Sequence, residues 1–186
     1  MTSNLIHRTT PLRLELRSDD VDERIISGIA APFDSPAEIN SYEGQFTETI
    51  RYGAFRKTIA ERGERVKLLG LHDRSRMPLG RAVLLEERAE GLYAEFRVSR
   101  TQSGDEALEL VRDGSLDHLS IGFRPISEVW DRTRTKRTLT EVALAEVSLV
   151  LEGAYGDAAA VTGSRSADTH TLTSEAATRR LRLLDL

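Results

Sequence analysis

Short stretches in which apolar and polar residues alternate recur along this chain, each closed by glycine, proline or a polar loop. A period of two is the mark of a strand with one buried face. Leu12, Leu14 and Leu16 alternate with Arg13, Glu15 and Arg17. Ile25 to Phe33 (IISGIAAPF) reads as a second strand, with a bulge expected at Gly28 and an end at Pro32. Further strands are expected at Val66–His72, Leu79–Leu85, Leu92–Val98, His118–Trp130 and Leu139–Leu151. Two segments carry helical spacing instead. Gly53–Gly63 places Phe55, Ile59 and Ala60 inward, and Gly104–Asp113 places Ala107, Leu108 and Val111 on one face with Gly114 as its stop. Asp34–Gln45 reads as a polar loop long enough for a flap or a disordered stretch. Six or seven strands with two or three helices make an α+β fold, built on a mostly antiparallel sheet or barrel.

With 186 residues, one principal domain is expected. The boundaries expected are a flexible tail at 1–11, a domain at 12–162, and a polar linker with an amphipathic helix at 163–186. That helix is Ser174–Leu186 (SEAATRRLRLLDL), where Leu181, Leu183, Leu184 and Leu186 cluster with Arg179, Arg180 and Arg182. The absence of cysteine excludes disulfides, thiolate catalysis and cysteine-bound zinc or iron–sulfur clusters. No apolar run is long enough for a membrane-spanning helix, and the first twenty residues lack the apolar core of a secretory signal. A net charge of −4 argues against non-specific nucleic-acid binding. The basic cluster Arg132, Arg134, Lys136 and Arg137 reads as a solvated hairpin tip.

Three side chains stand out as chemistry. In DHLSIGF, Leu119, Ile121 and Phe123 share one parity, so Ser120 falls on the opposite face beside the space left by Gly122. A serine hydroxyl becomes a nucleophile only beside a base, usually imidazole; otherwise Ser120 is an ordinary outward-facing polar residue. His7 and His170 fall in the expected tails, leaving His72 and His118. His118 shares the parity of Ser120, but residues i and i+2 on a strand do not readily bond. That favours His72, at the end of the apolar run VKLLGL, unless it is a structural strand-end histidine. Glu146 shares parity with Val142, Leu144 and Val150, so a carboxylate is expected on an apolar strand face, where it needs a partner. Either it orients a histidine or it pairs with an arginine such as Arg124. Asp73 and His118 are the fallback third members.

Other catalytic signatures are missing. There is no Gly-x-Ser-x-Gly, since His118 stands at the first glycine position, and no Walker A loop, Gly-x-Gly-x-x-Gly or His-Glu-x-x-His.

Between residues 25 and 161 an ordered set of segments resembles the prohead protease family of tailed bacteriophages, distant relatives of herpesvirus assemblin. The segments are GIAAPF (Gly28–Phe33), YGAF (Tyr52–Phe55), VKLLGLHDRSRMPLG (Val66–Gly80), GLYAEF (Gly91–Phe96), GSLDHLSIGF (Gly114–Phe123) and EVSLV (Glu146–Val150). The resemblance implies a herpesvirus-protease-like barrel and a serine endopeptidase working inside the immature capsid, in the host cytoplasm. It would cleave scaffold, or the scaffolding segment of the major capsid protein, and also itself. On that reading Ser120 is the nucleophile, His72 the general base, and Glu146 orients the imidazole where assemblin uses a second histidine. No metal or cofactor is needed, no nucleic acid or membrane is engaged, and a homodimer is suggested by analogy. Two segments depart from the family pattern. LEGAY (Leu151–Tyr155) lacks the usual proline after EVSLV, and TETIRY before Gly53 lacks the commoner aspartate. A non-catalytic capsid-assembly or scaffold-binding module on the same fold is the competing expectation, motivated by the C-terminal helix.

Overall fold

The computed structural model describes residues 5–13, 24–41 and 44–151. In chain order these form β1 (Ile6–Arg13), β2 (Ile25–Pro32), β3 (Ala37–Ser41), β4 (Gly44–Ile50), helix α1 (Arg56–Arg62) with a 3-10 turn at Gly63–Arg65, β5 (Lys67–Gly70), β6 (Gly80–Glu87), β7 (Gly91–Val98), helix α2 (Gln102–Arg112), β8 (His118–Trp130) and β9 (Lys136–Val150). Seven strands follow one path, β1-β8-β9-β5-β6-β7-β2. Its two end strands lie alongside each other, so the sheet curls into a nearly closed barrel. Every neighbour on the path is antiparallel except β5 with β9. This is the mostly antiparallel barrel, with two helices beside it, that the alternation implied.

β9 organises the barrel. One edge pairs with β8 over most of its length; the other takes β4 at Lys136–Leu139 and β5 at Glu146–Leu149, both in parallel. Its core-facing residues Leu139, Leu144, Val147 and Leu149 are fully buried. Burying a side chain of this kind contributes about 1.5–3 kcal/mol, so this strand anchors the interior.

The helices plug into that frame. Thr101 caps α2 by accepting the Gly104 amide at 3.2 Å, and Ala107, Leu108 and Val111 are buried as their spacing implied. Gly114 follows the helix at φ +79°, the left-handed stop that glycine adopts without strain. In α1 the inward residues differ from expectation. Phe55 is buried and Ile59 half-buried, but Ala60 is exposed, and Thr58 is buried instead. Thr58 donates to the Val142 carbonyl at 3.1 Å and accepts from the Leu144 amide at 3.2 Å, which ties α1 to β9.

Three further expectations are corrected. The polar segment at 34–45 itself contains β3 and the start of β4, a hairpin that buries Ile39, Phe46 and Ile50. The irregularity in β2 falls between Ile29 and Ala31, not at Gly28. The tail expected to run to residue 11 is in fact strand from Ile6, paired with β8. Leu14 and Leu16, the linker and the C-terminal helix lie outside the described residues.

Arg137 also leaves the expected solvated cluster. It is 3% exposed, donates from Nε to Glu48 at 2.8 Å, and stacks on Phe46 and Trp130. Arg8 donates to the other Glu48 oxygen at 2.6 Å, so one buried carboxylate joins β1, β4 and β9.

Candidate active site

Register decides which side chains can meet. Across β8 and β9 the core-facing pairs are Leu119 with Leu149, Ile121 with Val147, and Phe123 with Leu144. Between the last two pairs the register shifts, leaving Ala145 as an extra residue in β9. That bulge overturns the expectation drawn from the parity of Glu146 with Val142 and Leu144. They face the core, whereas Glu146 pairs with Gly122, on the opposite face, and Ser148 pairs with Ser120. β1 extends both rows, with His7 beside Gly122 and Thr9 beside Ser120. One face of three adjacent strands thus carries His7, Gly122 and Glu146 in one row and Thr9, Ser120 and Ser148 in the next.

His72 arrives from the end of β5. Leu71 and His72 both adopt left-handed backbone, at φ +51° and +59°, a conformation that costs non-glycine residues energy and persists only where the surroundings hold it. Here the Leu71 amide donates to the Leu149 carbonyl at 2.9 Å and the His72 amide to Ser148 Oγ at 3.1 Å. The turn throws the imidazole back over the rows. Its Nε2 lies 2.7 Å from Ser120 Oγ and its Nδ1 2.7 Å from Glu146 Oε1. Three side chains separated by up to 74 positions form one unbroken hydrogen-bonded chain.

The carboxylate is held ionised. Burial pushes the Glu146 carboxyl up, but the neighbouring His7 ring, His72 and the Ser148 hydroxyl outweigh it, and the carboxyl is held down from its ordinary 4.5 to about 2. Ser148 donates to Glu146 Oε2 at 2.6 Å. An ionised Glu146 can only accept, so His72 donates from Nδ1 and leaves Nε2 to accept the Ser120 proton.

The same geometry sorts the other sequence candidates. Arg124 is exposed and is not the partner of Glu146. His118 is buried against Asp117, its Nδ1 2.6 Å from Oδ1, and Asp73 is engaged with Ser75 and Arg76. Ser120 is not on an open face: it has no exposed surface, and the His72 side chain is 13% exposed. Sequence reasoning missed two neighbours. Ser148 sits inside EVSLV with the parity of Glu146, a signal that was available. His7 sits in IHRTTPLR, where no apolar alternation marks a strand; its Nδ1 is 3.6 Å from Glu146 Oε1 and its ring lies tilted against that of His72, centroids 3.9 Å apart. Among the described residues, His7, His72 and Glu146 are the group whose donor atoms converge closely enough to hold a metal ion.

The model of the caudovirus prohead serine protease family matches residues 12–173, which take in Ser120, His72 and Glu146. The chain belongs to that family. Membership makes it a protease of phage capsid maturation. Among solved structures, the bacteriophage T4 capsid assembly protease is similar at 14% identity and a TM-score of 0.48, over 68% of this chain and 82% of that one. No curated protein sequence matches the chain. The prohead protease motifs quoted from the sequence fall on the strands that carry the site: GSLDHLSIGF enters β8, VKLLGL is β5 and its turn, and EVSLV is the end of β9.

Proposed function

We propose that this prohead protease is a serine endopeptidase, with Ser120 as nucleophile, His72 as general base and acid, and Glu146 as the group that orients the imidazole. The observation that carries the reading is the pair of 2.7 Å bonds converging on the two nitrogens of one ring. Nε2 takes the Ser120 proton as Oγ bonds to the peptide carbonyl carbon, with backbone N–H groups holding the oxyanion. The proton then passes to the leaving amine as the C–N bond breaks. Water, deprotonated by the same nitrogen, cleaves the ester and restores the serine. Glu146 supports the imidazolium that forms at each stage without accepting its proton.

The substrates we propose are scaffold, or the scaffolding segment of the major capsid protein, and this chain itself, cut inside the immature capsid in the host cell. Because Ser120 has no exposed surface, binding of the target peptide must shift the groups above it. A fluorophosphonate probe followed by peptide mapping tests the assignment. The adduct is expected on Ser120, absent in Ser120→Ala and strongly slowed in His72→Ala. An adduct on another residue, or equal labelling of wild type and His72→Ala, would overturn it.

A further inference from the structure

We propose that His7, His72 and Glu146 form a zinc site whose occupancy switches the protease off. The inhibitory consequence rests on His72 being the base; the binding itself does not. A tetrahedral zinc ion sits about 2.0–2.2 Å from nitrogen and oxygen ligands, which sets neighbouring donors about 3.4 Å apart. His7 Nδ1 and Glu146 Oε1 are 3.6 Å apart, and the three donor atoms lie within 4.8 Å of one another. A shift of His72 Nδ1 from its 2.7 Å bond to Glu146 admits the ion.

The surroundings suit a bound metal. Ligating carboxylates and imidazoles are held by outer partners; here Ser148 holds the second oxygen of Glu146 at 2.6 Å, and Ser120 meets the second nitrogen of His72 at 2.7 Å. The His7 side chain is 41% exposed, giving an ion a way in and a fourth position for water. His7 lies ahead of the residues matched by the family model, 12–173, so the third ligand comes from β1 of this chain and not from the matched span.

Binding changes one proton's place. The neutral His72 ring gives its Nδ1 lone pair to zinc, and its single N–H moves to Nε2. That nitrogen then donates to Ser120 and cannot accept the serine proton. The nucleophile stays a hydroxyl until the ion leaves.

The test uses the full, untagged Ser120→Ala chain, whose metal binding does not depend on turnover. Titration with Co2+ should develop the visible absorption of a tetrahedral site, displaced by Zn2+. His7→Gln in the same background should weaken binding by more than about 100-fold, beyond the loss of an outer partner alone, with circular dichroism unchanged. In the active chain, Zn2+ should lower cleavage relative to each variant's own zinc-free rate, a chelator should restore it, and His7→Gln should lose that sensitivity. Absence of the cobalt spectrum, or equal affinity with and without His7, would overturn the site. Cobalt bound through His7 with no effect of zinc on cleavage would overturn the switch and leave the peptidase assignment standing.

Discussion

Gly122 and Glu146 face each other across β8 and β9 with no room for a side chain on the glycine: a methyl group there would lie 2.9 Å from the carboxylate carbon and closer still to Oε1. The glycine is the floor on which the carboxylate rests while it reaches His72. Gly122→Ala must therefore displace a side-chain end and not the backbone. The fold should survive while kcat/KM falls about 100-fold, the cost of a misplacement near 1 Å in a catalytic group. Circular dichroism and cleavage kinetics on the same sample check both halves; unchanged kinetics would contradict the role.

Ser148 holds both Glu146, at Oε2, and the left-handed backbone of His72, at the amide. Ser148→Ala leaves a buried carboxylate short of a donor and a strained turn short of its tether. We expect kcat/KM to fall about 10- to 100-fold. The Glu146 carboxyl should also titrate at higher pH, a shift that carbon-detected NMR would follow and that looser packing alone would not produce.

Acid should weaken the molecule through the same carboxylate. Glu146 is held at about 2 when folded against an ordinary 4.5. Its contribution is complete above about 4.5 and is lost as pH falls through that window toward 2. Urea unfolding of wild type and Glu146→Gln from pH 6 to pH 2, on the order of four units, should show wild type losing stability faster than the variant below about 4.5. Parallel curves would show that the carboxylate is not held as described.

The buried Glu48 carries two arginines, and removing it leaves Arg137, at 3% exposure, without its Nε acceptor and with the longer 3.4 Å contact to Glu128. Glu48→Ala should cost about 3–5 kcal/mol of unfolding free energy, read from chemical denaturation. Because Arg8 adjoins His7 in β1, metal affinity should fall with it.

How much of this was legible depended on whether a local pattern survived the tertiary structure. Ser120 and His72 were readable because alternation in LSIGF and the end of VKLLGL are strand signals in themselves. Glu146 stands out in the sequence for a reason the structure revises: its parity with Leu144 is broken by the bulge at Ala145, and a single inserted residue flips every later side chain. His7 is not legible because β1 has no apolar period, its strand state being imposed by pairing with β8. The β3–β4 hairpin is hidden in the sequence although Phe46 and Ile50 share a parity, because Glu48 between them reads as polar until Arg8 and Arg137 are placed around it.

The most direct test of the central claim is cleavage of scaffold by wild type, Ser120→Ala, His72→Ala and the double variant, followed by intact-mass spectrometry. If imidazole and hydroxyl act as one unit, each single variant should lose nearly as much activity as the double. Undiminished cut products from Ser120→Ala, or losses that simply multiply in the double variant, would contradict it.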